Sequence, residues 1–230
     1  ILLLVKLAED FGATNILAGW IEPLMSSIGL PPEMGIVWAG AMLSNIYTGM
    51  VLFISEPTSA MLSAAQVTSL GLLLLFAHSM PVELRVAQKI AVPLRISLPF
   101  RLVAAYLSAW VYFQLGQIFG FGDQQANIIW QAEARPSGWG SWLLANLQLF
   151  VQIVLIIALL VVLLRVIRIL RLDRLIHFVL RPVLPLIGLS DKAINVALVG
   201  ITLGLTYGGG MLIQESRQGV LAARELFFSV

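Results

Sequence analysis

Two short polar runs interrupt otherwise apolar stretches of this chain, and most of its capacity for chemistry lies in them. The first is Ser44-Asn45-Ile46-Tyr47-Thr48-Gly49, and the second is Thr206-Tyr207-Gly208-Gly209-Gly210. A glycine-rich break inside an apolar segment frees backbone carbonyls and amides, which can coordinate an ion or hydrogen-bond a polar solute. Asn45, Tyr47, Thr48 and Gly49, with Thr206, Tyr207, Gly208 and Gly209, are therefore the candidate solute-binding residues. The same glycines would equally serve close helix packing, with the polar side chains bonding neighbouring backbone.

Ionisable groups add little. His78 sits in an apolar run, so it should face the protein interior, as a solute or proton site or as a hydrogen-bonded structural histidine. Glu83 follows it across Pro81. Glu56 and Glu215 end the two interrupted segments, facing a cavity mouth or simply solvated. These three acids are secondary candidates. No Asp or Glu falls in the middle of an apolar segment, which weakens a carboxylate proton relay and leaves H+ or Na+ coupling open. There is no cysteine, and the two histidines are far apart, so no metal site is expected. With no nucleotide loop, metal-binding helix motif or nucleophile elbow, neither an enzyme nor a cofactor is expected.

The elements that would hold these residues are apolar helices. Hydrophobic residues make up 59% of the 230, charged ones 11%, and the mean hydropathy is +0.94. A soluble domain of this size would need more charge to cover its surface. Five stretches of 18 or more residues lack Asp, Glu, Lys and Arg: 34–55, 58–82, 102–123 (ending just before the acid, Asp123), 137–164 and 193–214. Each is long enough to cross about 30 Å of hydrocarbon as a helix. The basic residues flank these stretches, so positive-inside bias, and not nucleic acid, accounts for the net charge of +2. Residues 85–101 (Arg85, Lys89, Arg95, Arg101) and 165–181 (five arginines, Arg165 to Arg181) read as cytoplasmic, and 120–138 as external. Pro81, Pro93 and Pro99 should break the first basic segment into short pieces. Arg165, Arg168, Arg171 and Arg174 recur every three residues among apolar ones. They fit a helix lying in the membrane interface, or the solvated end of a long spanning helix.

The two halves repeat. Glu22-Pro23 and Ile28-Gly29-Leu30 match Arg181-Pro182 and Ile187-Gly188-Leu189 at an offset of 159. With a one-residue shift, Gly40, Leu43, Tyr47, Gly49 and Leu52 match Gly200, Leu203, Tyr207, Gly209 and Leu212. Equivalent segments differ in charge. Residues 6–28 hold Lys6 against Glu9, Asp10 and Glu22, net −2, while 165–187 hold five arginines against Asp173, net +4. Opposite charge on equivalent arms points to opposite membrane faces, and so to inverted repeats. That requires an odd number of crossings between the arms. Three crossings plus a re-entrant 34–55 satisfy it, since the polar run at its centre suits a lipid-facing helix poorly. The reading is a first repeat over 1–118, an external loop over 119–141 and a second repeat over 142–230. Ile1 opens inside an apolar run and Val230 aligns near Gly71, so further sequence is expected at both ends.

Gly29-Leu30-Pro31-Pro32-Glu33 before the first interruption, then Ala77-His78-Ser79-Met80-Pro81-Val82-Glu83, resembles the nucleoside-recognition, or Gate, domain family. Gly188-Leu189-Ser190-Asp191-Lys192 through Gly208-Gly209-Gly210 is a similar second copy. The family includes spore maturation proteins A and B and the Gate segments of the ferrous-iron permease. The resemblance implies an all-α integral membrane protein of two inverted repeats, with interrupted or re-entrant helices and interfacial arms. It would move a small polar solute, nucleoside-like in one version, by alternating access in a bacterial inner (cytoplasmic) membrane. Its partners would be the lipid bilayer, the solute, an H+ or Na+ coupling ion and, in an oligomer, further copies of itself. A non-transporting scaffold of the spore-maturation type is the alternative. The cysteine of the iron permease's Gate motif is missing, which argues against iron. On the inverted-repeat reading, site-directed labelling at positions 6 and 168 should report opposite compartments; labelling from one and the same side would remove the inversion.

Overall fold

The structure, a computed structural model, describes residue 7, residues 13–128 and 138–170, and residues 209, 210, 213, 214, 216 and 218. Its helices are α1 (Ala13–Ser26), α2 (Met34–Leu43), α3 (Ile46–Ser55), α4 (Ala64–Phe76), α5 (Met80–Lys89), α6 (Leu94–Phe119) and α7 (Trp139–Ile169), with a 3-10 turn over Pro57–Met61. Among the described residues the only extended pairing is an isolated bridge between Ser63 and Gln125. The chain divides into two compact units, one from residues 1–81 and 99–149, the other from 82–98 and 150–230.

In the first unit, α2 and α3 form a helical hairpin. Residues 41 and 49 would stand about 12 Å apart along one straight helix. Instead, a Cβ placed on Gly49 would lie 2.7 Å from Ala41 Cβ and 3.5 Å from the Val37 carbonyl. One placed on Gly40 would run into Leu52. Two glycines, one per arm, thus permit the close approach. The reversal sits at Ser44 (φ −121, ψ −89) and the extended Asn45 (φ −162, ψ 169). Each arm has 10 residues, about 15 Å of helix, half the thickness of a bilayer's hydrocarbon.

The open end of the hairpin is tied down. Gln66 donates from Nε2 to the Gly29 carbonyl at 2.6 Å, joining the start of α4 to the loop before α2. Ser63 and Gln66 form a reciprocal capping box, spending two of the donors that a helix start leaves unpaired. The loop after α6 supplies the others. Ala64 and Ala65 N–H donate to the Gln124 and Gly122 carbonyls, both at 2.9 Å, and Ala126 N–H donates to the Leu62 carbonyl. Gln125 adds a bond from Nε2 to the Ala60 carbonyl at 2.8 Å.

Among the described residues, two spans are long and apolar enough to cross a membrane: residues Ala64–Lys89, interrupted at 77–79, and Leu94–Phe119. Pro81 explains the interruption. It has no N–H for the Ala77 carbonyl and disfavours helix at the residue before it, so it belongs in the first turn of a new helix. Pro93 likewise precedes α6. Pro99 differs from expectation, because α6 runs through it unbroken. It forfeits one bond, to the carbonyl of Arg95, and both residues are exposed, so that carbonyl lies on the outer side of the helix. Phe100, Val103, Leu107, Trp110 and Ile118 form an exposed apolar face of α6, opposite buried Ala105 and Ala109. Phe113 covers Gly29, where no Cβ would fit. Ser27 donates to the Leu24 carbonyl at 2.7 Å, so the 2.6 Å contact with Tyr106 has the phenol as donor.

The arginine-rich segment also corrects an expectation. α7 has 31 residues, about 46 Å, and continues through Arg165 and Arg168. The first two arginines thus end a long helix and do not begin a separate arm. Nothing between Ser141 and Arg181 is Gly or Pro, so the sequence offers no stop before them. Arg171, Arg174 and Arg181 lie outside the described residues, as does most of 193–214.

Gly120 and Gly122 both have positive φ (+65 and +84), but a Cβ at Gly120 meets open space while one at Gly122 would lie 2.8 Å from Ala65 Cβ and 3.1 Å from its nitrogen. Gly120→Ala should therefore cost about 1 kcal/mol of stability and Gly122→Ala about 2–4 kcal/mol, read from thermal midpoints in detergent.

Candidate functional site

The tip of the hairpin gathers hydroxyl and amide groups. Asn45 caps α3, its Oδ1 accepting from Thr48 N–H at 3.0 Å. Thr48 Oγ1 donates to Ser44 Oγ at 3.0 Å and lies 3.3 Å from Asn45 Oδ1. Asn45 Nδ2 donates to Ser44 Oγ at 3.3 Å. Asn45 is exposed and Ser44, Tyr47 and Thr48 are half-buried, so this cluster is accessible. Gly49, one turn on, is buried against α2 and is taken up by helix packing.

The second break, at 77–79, docks against this tip. With the helix ended at Ser44, the Ala41 carbonyl loses the amide that would have come from residue 45. Ser79 N–H, freed in the same way, donates to it at 2.9 Å. Each interruption thus satisfies a backbone group that the other leaves open. Ser79 holds φ +48, a left-handed conformation costly for a residue with a side chain. His78, beside it, is half-buried and bonds through Nδ1 to the Leu74 carbonyl at 2.7 Å. The structure therefore brings the 77–79 break to the tip that carries Ser44, Asn45 and Thr48, all within one unit.

Other candidates lie elsewhere. Glu56 stands at the far end of α3, where Oε1 accepts from Thr58 N–H at 3.5 Å and Thr58 Oγ1 at 3.3 Å. It caps the 3-10 turn at the hairpin's mouth. Glu83 lies on α5 in the second unit and is 4% exposed, a buried carboxylate inside an apolar span. That position qualifies the expectation that no acid lies within a segment. Also in the second unit, a Cβ on Gly209 would lie 2.9 Å from Val86 Cγ1. Val86 is one turn beyond Glu83 on the same helical face. Gly209 of the second interruption therefore packs on the face of α5 that carries Glu83. Thr206, Tyr207, Gly208 and Glu215 lie outside the described residues.

Three polar residues escaped the sequence reading. Ser79 gives no local signal beyond its place before Met80-Pro81. Among the described residues, Trp38 Nε1 and Ser69 Oγ are buried without a hydrogen-bond partner, in α2 and α4 of the first unit. Each looks like an ordinary core position in the sequence. Among the described residues no group of three or more His, Cys, Asp or Glu could hold a metal ion.

The chain is 27% identical over 230 residues to the uncharacterized membrane protein YvoD of Bacillus subtilis, covering 97% of this chain and 72% of that protein. No family model matches, and no solved structure matches. Apolar spans, helical architecture and this relative together describe a helical membrane protein.

The geometry of the two breaks sets stability expectations. Asn45→Ala should cost about 1 kcal/mol by removing the cap, and Asn45→Asp, which can accept the same bond, much less. Ser79→Gly should stabilise by up to about 1 kcal/mol, and Ser79→Val should destabilise. Thermal unfolding in detergent would rank the four variants.

Proposed function

We propose that this chain is the core of a permease that moves a small polar solute by alternating access, with the hairpin tip as its binding site. The carrying observation is the contact of two backbone interruptions, Ala41 carbonyl to Ser79 N–H, beside the accessible cluster of Ser44, Asn45 and Thr48. In an apolar layer such groups are costly unless they are used. Two arms of about 15 Å would set the tip near the midplane of the bilayer. His78 extends this site. On the inverted-repeat reading, the second interruption, Thr206 to Gly210, would be the equivalent element of the other half. The Gate-domain likeness, a nucleoside-like solute, an H+ or Na+ coupling ion and a bacterial inner membrane with 85–101 and 165–181 on the cytoplasmic side all belong to this reading. Glu83 supplies the buried carboxylate that such coupling would draw on.

The test is uptake of a panel of labelled nucleosides and other small polar solutes into sealed proteoliposomes holding the full-length protein. Wild type should accumulate at least one solute. Asn45→Asp, which keeps the cap but replaces an amide with a carboxylate, should lose that uptake by at least tenfold while unfolding like wild type. Unchanged uptake would remove Asn45 from the site. Absence of flux for every solute, together with a stable membrane partner, would assign the scaffold role instead.

A further inference from the structure

We infer that the α5–α6 turn is a headgroup site for an anionic phospholipid, formed by Arg85, Lys89 and Arg95. All three are exposed, and among the described residues none has an ion-pair or hydrogen-bond partner. Arg85 and Lys89 stand one helical turn apart, with Cβ atoms about 6 Å from each other on one face of α5. The opposite face holds Leu84, Ala87 and Ile90, all buried, so the helix cannot roll to hide its cations. The one acid of α5, Glu83, is buried with that inner face and does not lie among them. No Asp or Glu occurs between Glu83 and Asp123, so nothing along that stretch neutralises the patch.

The turn itself is fixed. Ile90 and Val92 N–H both donate to the Ala87 carbonyl, at 3.2 and 3.0 Å, and Ala91 takes φ +66 between them. This closure, with Pro93 after it, starts α6 at Leu94 and brings Arg95 into its first turn. The cations alone would suit any phosphate. Their neighbours decide for lipid, because Val82, Leu94 and Ile96 are exposed beside them, 40–47% each. A soluble anion gains nothing from exposed aliphatic side chains. A phospholipid pairs its headgroup with the cations and lays its acyl chains on the apolar residues. The site needs only that the protein sits in a bilayer, and it holds whether or not the protein transports anything.

The test uses delipidated full-length protein in detergent, titrated with phosphatidylglycerol or phosphatidylcholine, with bound lipid counted by native mass spectrometry. Wild type should retain phosphatidylglycerol in preference, and its affinity should fall as NaCl is raised. Each single variant, Arg85→Gln, Lys89→Gln or Arg95→Gln, should weaken phosphatidylglycerol by about fivefold, and the triple variant on the order of a hundredfold, with phosphatidylcholine unchanged. The single variants carry the test should the triple variant fail to fold. Arg165→Gln, at an exposed arginine of α7, should leave retention unchanged. Equal retention by wild type and the Gln variants would overturn the site. Displacement of the lipid by millimolar inorganic phosphate would overturn its assignment to lipid.

Discussion

A helix that stops inside an apolar layer leaves carbonyls and amides that water cannot reach, and each one left unmatched costs several kcal/mol. Everything around the hairpin follows from that constraint. α2 stops at Leu43 and α4 at Phe76, and the two stops are set against one another so that the Ala41 carbonyl meets the Ser79 amide. Asn45 and Thr48 close the remaining gap with side chains. Neither interruption would be tolerable alone inside an apolar layer. The left-handed Ser79 is the local strain accepted in exchange.

Within a bilayer, apolar burial gives helices little reason to associate, because lipid tails are as apolar as leucine. Close packing and directional bonds must do the work. Gly40 and Gly49 let the hairpin arms touch, Gly29 admits the Phe113 ring, and Ala105 and Ala109 keep the inner side of α6 flat. The directional bonds gather at the hairpin's mouth, where Gln66, Gln125 and the 122–126 backbone bind the hairpin exit, the start of α4 and the end of α6 together. The tip meets the 77–79 break through the bond from Ser79 N–H to the Ala41 carbonyl and carries its own capping cluster. Polar accessibility is thus found at the tip.

The interruption of 34–55 was legible in the sequence because the polar run Ser44 to Gly49 suits a lipid-facing helix poorly. Pro81 signalled a break, but 58–82 reads as one apolar stretch, so the interruption at 77–79 within it was not located. What joins these elements was not legible. The Ala41–Ser79 bond and the clasp of residues 122–126 over residues 60–65 use backbone groups, which every residue has, so no side-chain pattern marks them. Pro99 misled because a proline's effect depends on which side of the helix its orphaned carbonyl faces. Arg165 and Arg168 misled because charge periodicity says where a helix meets water, not where it ends. The burial of Glu83 depends on packing around α5 that its neighbours in sequence do not announce.

The length of the hairpin arms has an electrical consequence. On the proposed placement, a solute at the tip has traversed about half of the voltage drop across the bilayer. A full crossing is worth about 2.3 kcal/mol per elementary charge at 100 mV, so reaching the tip is worth about half of that. Occupancy by a monovalent solute would then shift by nearly an order of magnitude when that voltage is applied or collapsed, while a neutral solute would be indifferent to it.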